Sequence, residues 1–205
     1  MARLCVNMRR NTKYSQSTSA KRPAVSENVR FLLWSGPVER NRWEGTVANW
    51  AGCGVERARA LLRGEMPKPE EVAALSAASG VGEPELAYGR LVEGRDILLE
   101  NLRHLFHDAE RGAKAEIALK VGVHATTISE WLAGRQRPTG SHLNLLAMAF
   151  GLRDGEELAS EPLFLSLDPV ALQQRRTWLR KQIDALDDRT LAELFPALKR
   201  LLEKP

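Results

Sequence analysis

Apolar residues recur along this chain at steps of three and four between short breaks rich in Gly and Pro, and they nowhere alternate one in two as a half-buried strand does. The pattern predicts an all-α protein. A first helix is expected from Ser26, acting as its cap, through Trp34, with Val29, Leu32 and Leu33 on one side and Gly36 and Pro37 as the stop.

Sliding the sequence along itself uncovers a repeat that local propensity misses. A shift of 70 positions carries Gly64 onto Gly134, Gly52 onto Gly122, Ala48 onto Ala118 and Leu62 onto Leu132, while Val47 meets Ile117 and Cys53 meets Val123. One position further, Pro67 meets Pro138, and each proline is followed by a helix-like run, Val72, Leu75, Ser79 in the first copy and Leu143, Leu146, Phe150 in the second. Two copies of one unit are expected, at residues 26–92 and 95–160, each with about five short helices and with Glu93 and Gly94 at the junction.

Beyond Pro162 and an apolar segment ending at Leu167, Asp168 and Pro169 are expected to open a further helix, as cap and first-turn proline, with Leu172, Leu179, Ile183 and Leu186 on its apolar side. Asp187 or Asp188 is expected to cap a last helix in which Leu191, Leu194, Leu198 and Leu201 form a stripe and Pro196 kinks or divides it. Residues 168–205 therefore read as a helical hairpin whose stripe serves as core or as a dimerisation face.

The chemistry concentrates in the second copy. Ile117, Ala118 and Val121 would face inward from one helix, Gly122 would end it in a left-handed conformation, and Val123 would plug the turn. A second helix is expected from His124 or Ala125 to Leu132, with Ile128, Trp131 and Leu132 inward and Gly134 closing it before Arg135, Gln136, Arg137 and Pro138.

Residues 97–155 resemble the helix-turn-helix of the Cro/CI-type repressor family, also called the XRE family, through Ile117-Ala118, Gly122-Val123, Thr127-Ile128-Ser129, Trp131 and the run Gly134 to Pro138. The resemblance is weaker in the first copy, and it implies two tandem five-helix lambda-repressor-like units, the first degenerate, ahead of the hairpin. It also implies that the second helix of the motif enters the major groove, which is wide enough for a helix and shows a base-specific pattern of donors and acceptors. His124, Ala125, Thr126, Thr127, Ser129 and Glu130 would then face the DNA, with base reading assigned chiefly to Ala125, Thr126 and Glu130. Lys114, at the family's polar position on the preceding helix, would reach phosphate or guanine, and Arg135 and Arg137 would grip the backbone. Glu56, Arg57 and Arg59 form a second candidate DNA-binding surface in the first copy, where packing or dimerisation is the competing role.

Composition narrows the field further. In 205 residues, 43% of them hydrophobic, there is material for small cores, so disorder throughout is excluded, and no apolar run is long enough to span a bilayer. A net charge of +4 suits a nucleic-acid partner, and residues 1–25 form a basic arm carrying Arg3, Arg9, Arg10, Lys13, Lys21 and Arg22, with no apolar stretch to suggest a secretory signal. Cys5 and Cys53 supply neither a disulfide framework nor a metal set. His104, His107 and Asp108 fall short of a metal site, Trp34, Trp43, Trp50, Trp131 and Trp178 are expected as core fillers, and acidic pairs at 70–71, 156–157 and 187–188 suit helix starts. Phosphate loops and nucleophile-base pairs are missing from the sequence, so neither catalysis nor a cofactor is expected. The partners expected are double-stranded DNA and a second copy of the chain, in the cytoplasm at the nucleoid; the competing class is a protein-interaction or antitoxin-like module with general DNA affinity.

Overall fold

A computed structural model describes residues 24–107 and 112–203. Most of the basic arm, with Cys5, and also Asp108 lie outside the described residues. Among those described, all regular structure is helical. Helices α1 (Val25–Ser35), α2 (Trp43–Ala51), α3 (Val55–Leu62), α4 (Pro69–Ser79) and α5 (Glu83–Tyr88) are followed by α6 (Ile97–His107), α7 (Ala113–Val121), α8 (Ala125–Leu132), α9 (Gly140–Phe150) and α10 (Gly155–Ser160). Both sets run through lengths of 11, 9, 8, 11 and 6 residues. A 3-10 turn at Leu163–Leu165 leads to α11 (Leu172–Asp184) and α12 (Asp188–Leu202).

Each five-helix set has its own core. Val29, Leu33, Trp43, Val47, Leu62, Leu75 and Leu86 fill the first; Leu102, Ile117, Val121, Ile128, Trp131, Leu146 and Leu158 fill the second. The same polar clasp closes both. Buried Asn28 donates from Nδ2 to the carbonyls of Leu86 (2.8 Å) and Gly89 (2.9 Å) and accepts from the Leu91 N–H (3.0 Å). Asn101 donates to Leu158 (2.8 Å) and Glu161 (2.7 Å) and accepts from Phe164 N–H (3.2 Å). An amide side chain is thus satisfied at the point where the first helix of each set meets the end of the fifth, which a buried polar group requires.

A third core joins the two sets: Phe31, Val92, Phe164 and Leu165, with Trp34, Leu91 and Ile97 against them. The segment 163–166 is gripped from the first set, where Arg30 Nη1 donates to Leu165 O (3.2 Å) and Arg40 donates to Phe164 O (2.6 Å) and Ser166 O (2.7 Å). The expected junction is therefore no bare linker, since Val92 beside Glu93 is buried.

Several local expectations are corrected. Ser26 does not cap α1; Ala24 precedes the helix, its N–H tied to Ala87 O at 2.9 Å, and Val25 is already buried. Asp168 and Pro169 do not open α11, because Ala171 is drawn into the second core and Gln174 Oε1 accepts from the N–H groups of Val170 and Ala171, fixing the start at Leu172. Pro196 does not divide α12, which runs on to Leu202. Asp187 does cap that helix, accepting from Thr190 N–H at 2.9 Å. Trp178 is not a core residue: it is 49% exposed and lines a cleft of about 950 Å³ between α6, α7, α9 and α11. Nor does the C-terminal stripe form core, since neither α11 nor α12 has a buried residue.

Candidate nucleic-acid interface

Ala113, Ala115, Ala118 and Leu119 are strong helix formers, and they build α7 up to Gly122. There the backbone turns left-handed (φ 76°), and Val123 N–H reaches back to Ala118 O at 2.9 Å, which ends the helix with its last carbonyls satisfied. Val123, packed against the second core, anchors the corner as expected. His124 then takes an extended conformation, and α8 begins with no side chain capping it.

Ile128 (1% exposed) and Trp131 (4%) hold α8 to the core, with Leu132 partly buried beside them. The opposite side carries the residues expected to read DNA: His124, Ala125 and Thr126 are exposed, and Thr127, Ser129 and Glu130 are half-buried. Lys114 is exposed on the first turn of α7. All of these residues come from two consecutive helices joined by one tight turn.

The charges are arranged in a way the sequence did not announce. Beyond the left-handed Gly134 (φ 71°), the chain folds back so that Arg135 N–H meets Glu130 O at 3.0 Å. The Arg135 guanidinium then pairs with the Glu130 carboxylate, Nη2 to Oε1 at 2.8 Å with a second contact through Nε. Hydrogen bonding from Arg135 holds the Glu130 carboxyl below the usual carboxylate range. Arg137 pairs with Asp96, whose other oxygen accepts from Leu99 N–H (3.2 Å) at the start of α6. Ser129 Oγ donates to Ala125 O at 3.2 Å, so this hydroxyl already has a partner inside the helix.

The corresponding stretch of the first set is differently occupied. Arg59 on α3 donates from Nε and Nη2 to both oxygens of Glu44, each at 2.9 Å, and from Nη1 to Glu56. Arg57 is bound to Glu71, to Glu65 and to Met66 O. Every cation proposed for a second DNA surface is thus matched by carboxylates of its own unit. The carboxylate partners Glu44, Glu65 and Glu71 lie on α2, on the connection between α3 and α4, and on α4, and no local spacing in the sequence marks them as partners of α3.

His104 and His107 do not converge on one site: His104 is buried edge-on to Trp34, with ring centres 5.6 Å apart, whereas His107 is exposed. No helix among the described residues is long and apolar enough to cross a membrane.

Residues 113–158 match a family model described as helix-turn-helix, and this span runs from the first residue of α7 into α10. The chain matches no curated protein and no solved structure. Over residues 113–158 the chain therefore carries an XRE-type helix-turn-helix, an element of DNA-binding transcription regulators.

Proposed function

We propose that the chain is a sequence-specific, double-stranded DNA-binding transcriptional regulator, a repressor acting at the nucleoid, which reads the major groove with α8. What carries this reading is the two-sided character of α8: Ile128 and Trp131 are anchored in the core, while His124, Ala125 and Thr126 stand open to solvent. Thr126 and Ala125 offer methyl groups to thymine, the Thr126 hydroxyl bonds either way, and Glu130 accepts from a cytosine amino group. Lys114, Arg135 and Arg137 supply phosphate contacts and the salt dependence that goes with them. Because Arg135 rests on Glu130, it also screens that carboxylate from the phosphates.

The first five-helix set is a second, degenerate copy of the same unit. Arg57 and Arg59 are each held by two carboxylates, where Arg135 and Arg137 have one each, and this favours a supporting role beside the duplex rather than base reading. Two chains, acting as a homodimer, present two α8 helices to a near-palindromic site.

Selection of preferred sequences from random duplexes with purified protein tests this. A preferred site bound at least about a thousandfold more tightly than random duplex at physiological salt is the expected result. Equal binding of all duplexes, unaltered by substitutions at Thr126 and Glu130, would move the protein to the class of protein-interaction modules.

A further inference from the structure

Helix α11 is rooted at one end and then stands away from the fold. At the root, Ala171 is buried in the second core, Gln174 Oε1 accepts from the N–H groups of Val170 and Ala171 at 3.1 Å each, and Leu172 presses on left-handed Gly151, where an added Cβ would lie 3.1 Å from the leucine Cβ. No residue of α11 itself is buried, and the gap it leaves against α6, α7 and α9 is the cleft of about 950 Å³. That volume is at the upper end of the range of about 300–1,000 Å³ in which organic ligands are held. Leu105, Phe106, Ile117, Phe150, Leu167 and Trp178 give the cleft an apolar lining, in which the Phe106 and Phe150 rings meet edge to face at 5.2 Å. The indole of Trp178 is half exposed on the α11 wall, so a ligand seated against it removes a large apolar surface from water.

We infer that this cleft is a binding site for an amphipathic aromatic carboxylate, with its rings against Trp178 and Phe106 and its carboxylate on Lys181. The sign of the ligand follows from the charges on the walls. Glu116 is the sole acid among the lining residues, and it is taken by Lys120 at 2.7 Å. Lys181, one turn beyond Trp178 on the same wall, forms no ion pair with a described residue. Its ammonium is therefore open to an anion held beside the indole, and Thr177, one turn before it, adds a hydroxyl donor for the second carboxylate oxygen. The aromatic body follows from Trp178 and Phe106, since rings favour offset or edge-to-face partners beyond the area they bury. A cationic ligand would meet like charge at Lys181. Glu116, Ile117 and Lys120 belong to α7, so the occupant touches the helix-turn-helix, yet no residue of α8 lines the cleft.

The inference goes beyond the reading of α8, and it is measured without DNA. The full chain is labelled with fluorotryptophan and titrated with pyrenebutyrate, an aromatic carboxylate. Of the five tryptophans only Trp178 lines the cleft, and its fluorine resonance is assigned through Trp178→Phe. A saturable shift of that resonance is expected, with a dissociation constant below about 100 µM. Pyrenemethylamine, which carries the opposite charge, is expected to bind about tenfold more weakly, and Lys181→Glu to weaken pyrenebutyrate about tenfold. Ala149→Phe, which fills the cleft from the α9 wall, is expected to weaken it at least about tenfold. Circular dichroism shows whether each variant keeps its helix content, and the exchange at exposed Lys181 does not depend on Ala149→Phe folding. A Trp178 resonance that stays fixed to about 1 mM pyrenebutyrate overturns the inference, as it would if segments of the chain itself filled the cleft. So do equal affinities for the carboxylate and the amine, a Lys181→Glu chain that binds like the wild type, or a folded Ala149→Phe chain that does, since the ligand would then lie on the outer side of α11.

Discussion

The guanidinium of Arg57 lies across the carboxylate of Glu71, with Nε 2.9 Å from Oε1 and Nη2 2.8 Å from Oε2. Glu71 also accepts from Lys68 N–H at 2.8 Å, so one almost fully buried carboxylate binds α3 to the start of α4. Glu71, read from sequence as a helix-start acid, does stand in the first turn of α4, and it also ties that helix to α3.

Glu71→Gln is expected to destabilise that unit, because the Arg57 guanidinium keeps only the exposed Glu65 as counter-charge and loses the carboxylate that ties it to α4. The pH dependence follows in sign. Hydrogen bonds from Arg57, chiefly, lower the Glu71 pKa from 4.5 to about 2. The unfolded chain then binds the proton more readily than the folded one, so the stabilisation is full above about pH 4.5 and is lost as pH falls toward 2. Denaturant melts across this window should slope for the wild type and be flatter for the variant; parallel curves would refute the assignment.

Asn101→Ala should cost about 2–4 kcal/mol, since it strands the carbonyls of Leu158 and Glu161 and the Phe164 N–H inside the protein. Chemical denaturation measures it. A loss below about 1 kcal/mol would show that water replaces the amide without strain.

The Glu130–Arg135 pair separates affinity from choice of sequence. Arg137→Ala is expected to weaken binding to every duplex by a similar factor. Arg135→Ala should weaken it further than that, because it also exposes the Glu130 carboxylate to phosphate. In the Glu130→Gln background that excess should vanish. Fluorescence anisotropy on selected and random duplexes supplies the cycle, and equal losses in both backgrounds would show that the pair is irrelevant to DNA.

In the first unit, Arg59→Ala is expected to change DNA affinity by less than about twofold, since its charge is already met by Glu44 and Glu56. A loss of about tenfold, with a shallower salt slope, would instead make α3 a second DNA contact.

The elements legible in the sequence are those whose cause is local. Gly122 had to be left-handed to turn from α7 to α8, and Ala118, Val123, Ile128 and Trp131 had to face inward, so spacing alone placed them. The 70-residue shift sets α2 and α3 opposite α7 and α8, helices of equal length. What escaped was the pairing of polar groups across elements. Asn28 and Asn101 sit among apolar neighbours with no periodicity to mark them, and Arg137 meets Asp96 only after the unit has closed. Trp178 misled for the opposite reason: its spacing is that of a buried position, yet it is half exposed on the wall of a cleft.

The aromatic ring of Phe164 is fully enclosed, although it belongs to a connecting segment rather than to either bundle. Its backbone is claimed by Arg40 on one side and by Asn101 on the other. Melting either bundle strips this segment of half its partners, so heat should unfold both in a single calorimetric step rather than in two. The two halves of the molecule are linked beads only in sequence; a shared segment is expected to make them rise and fall together.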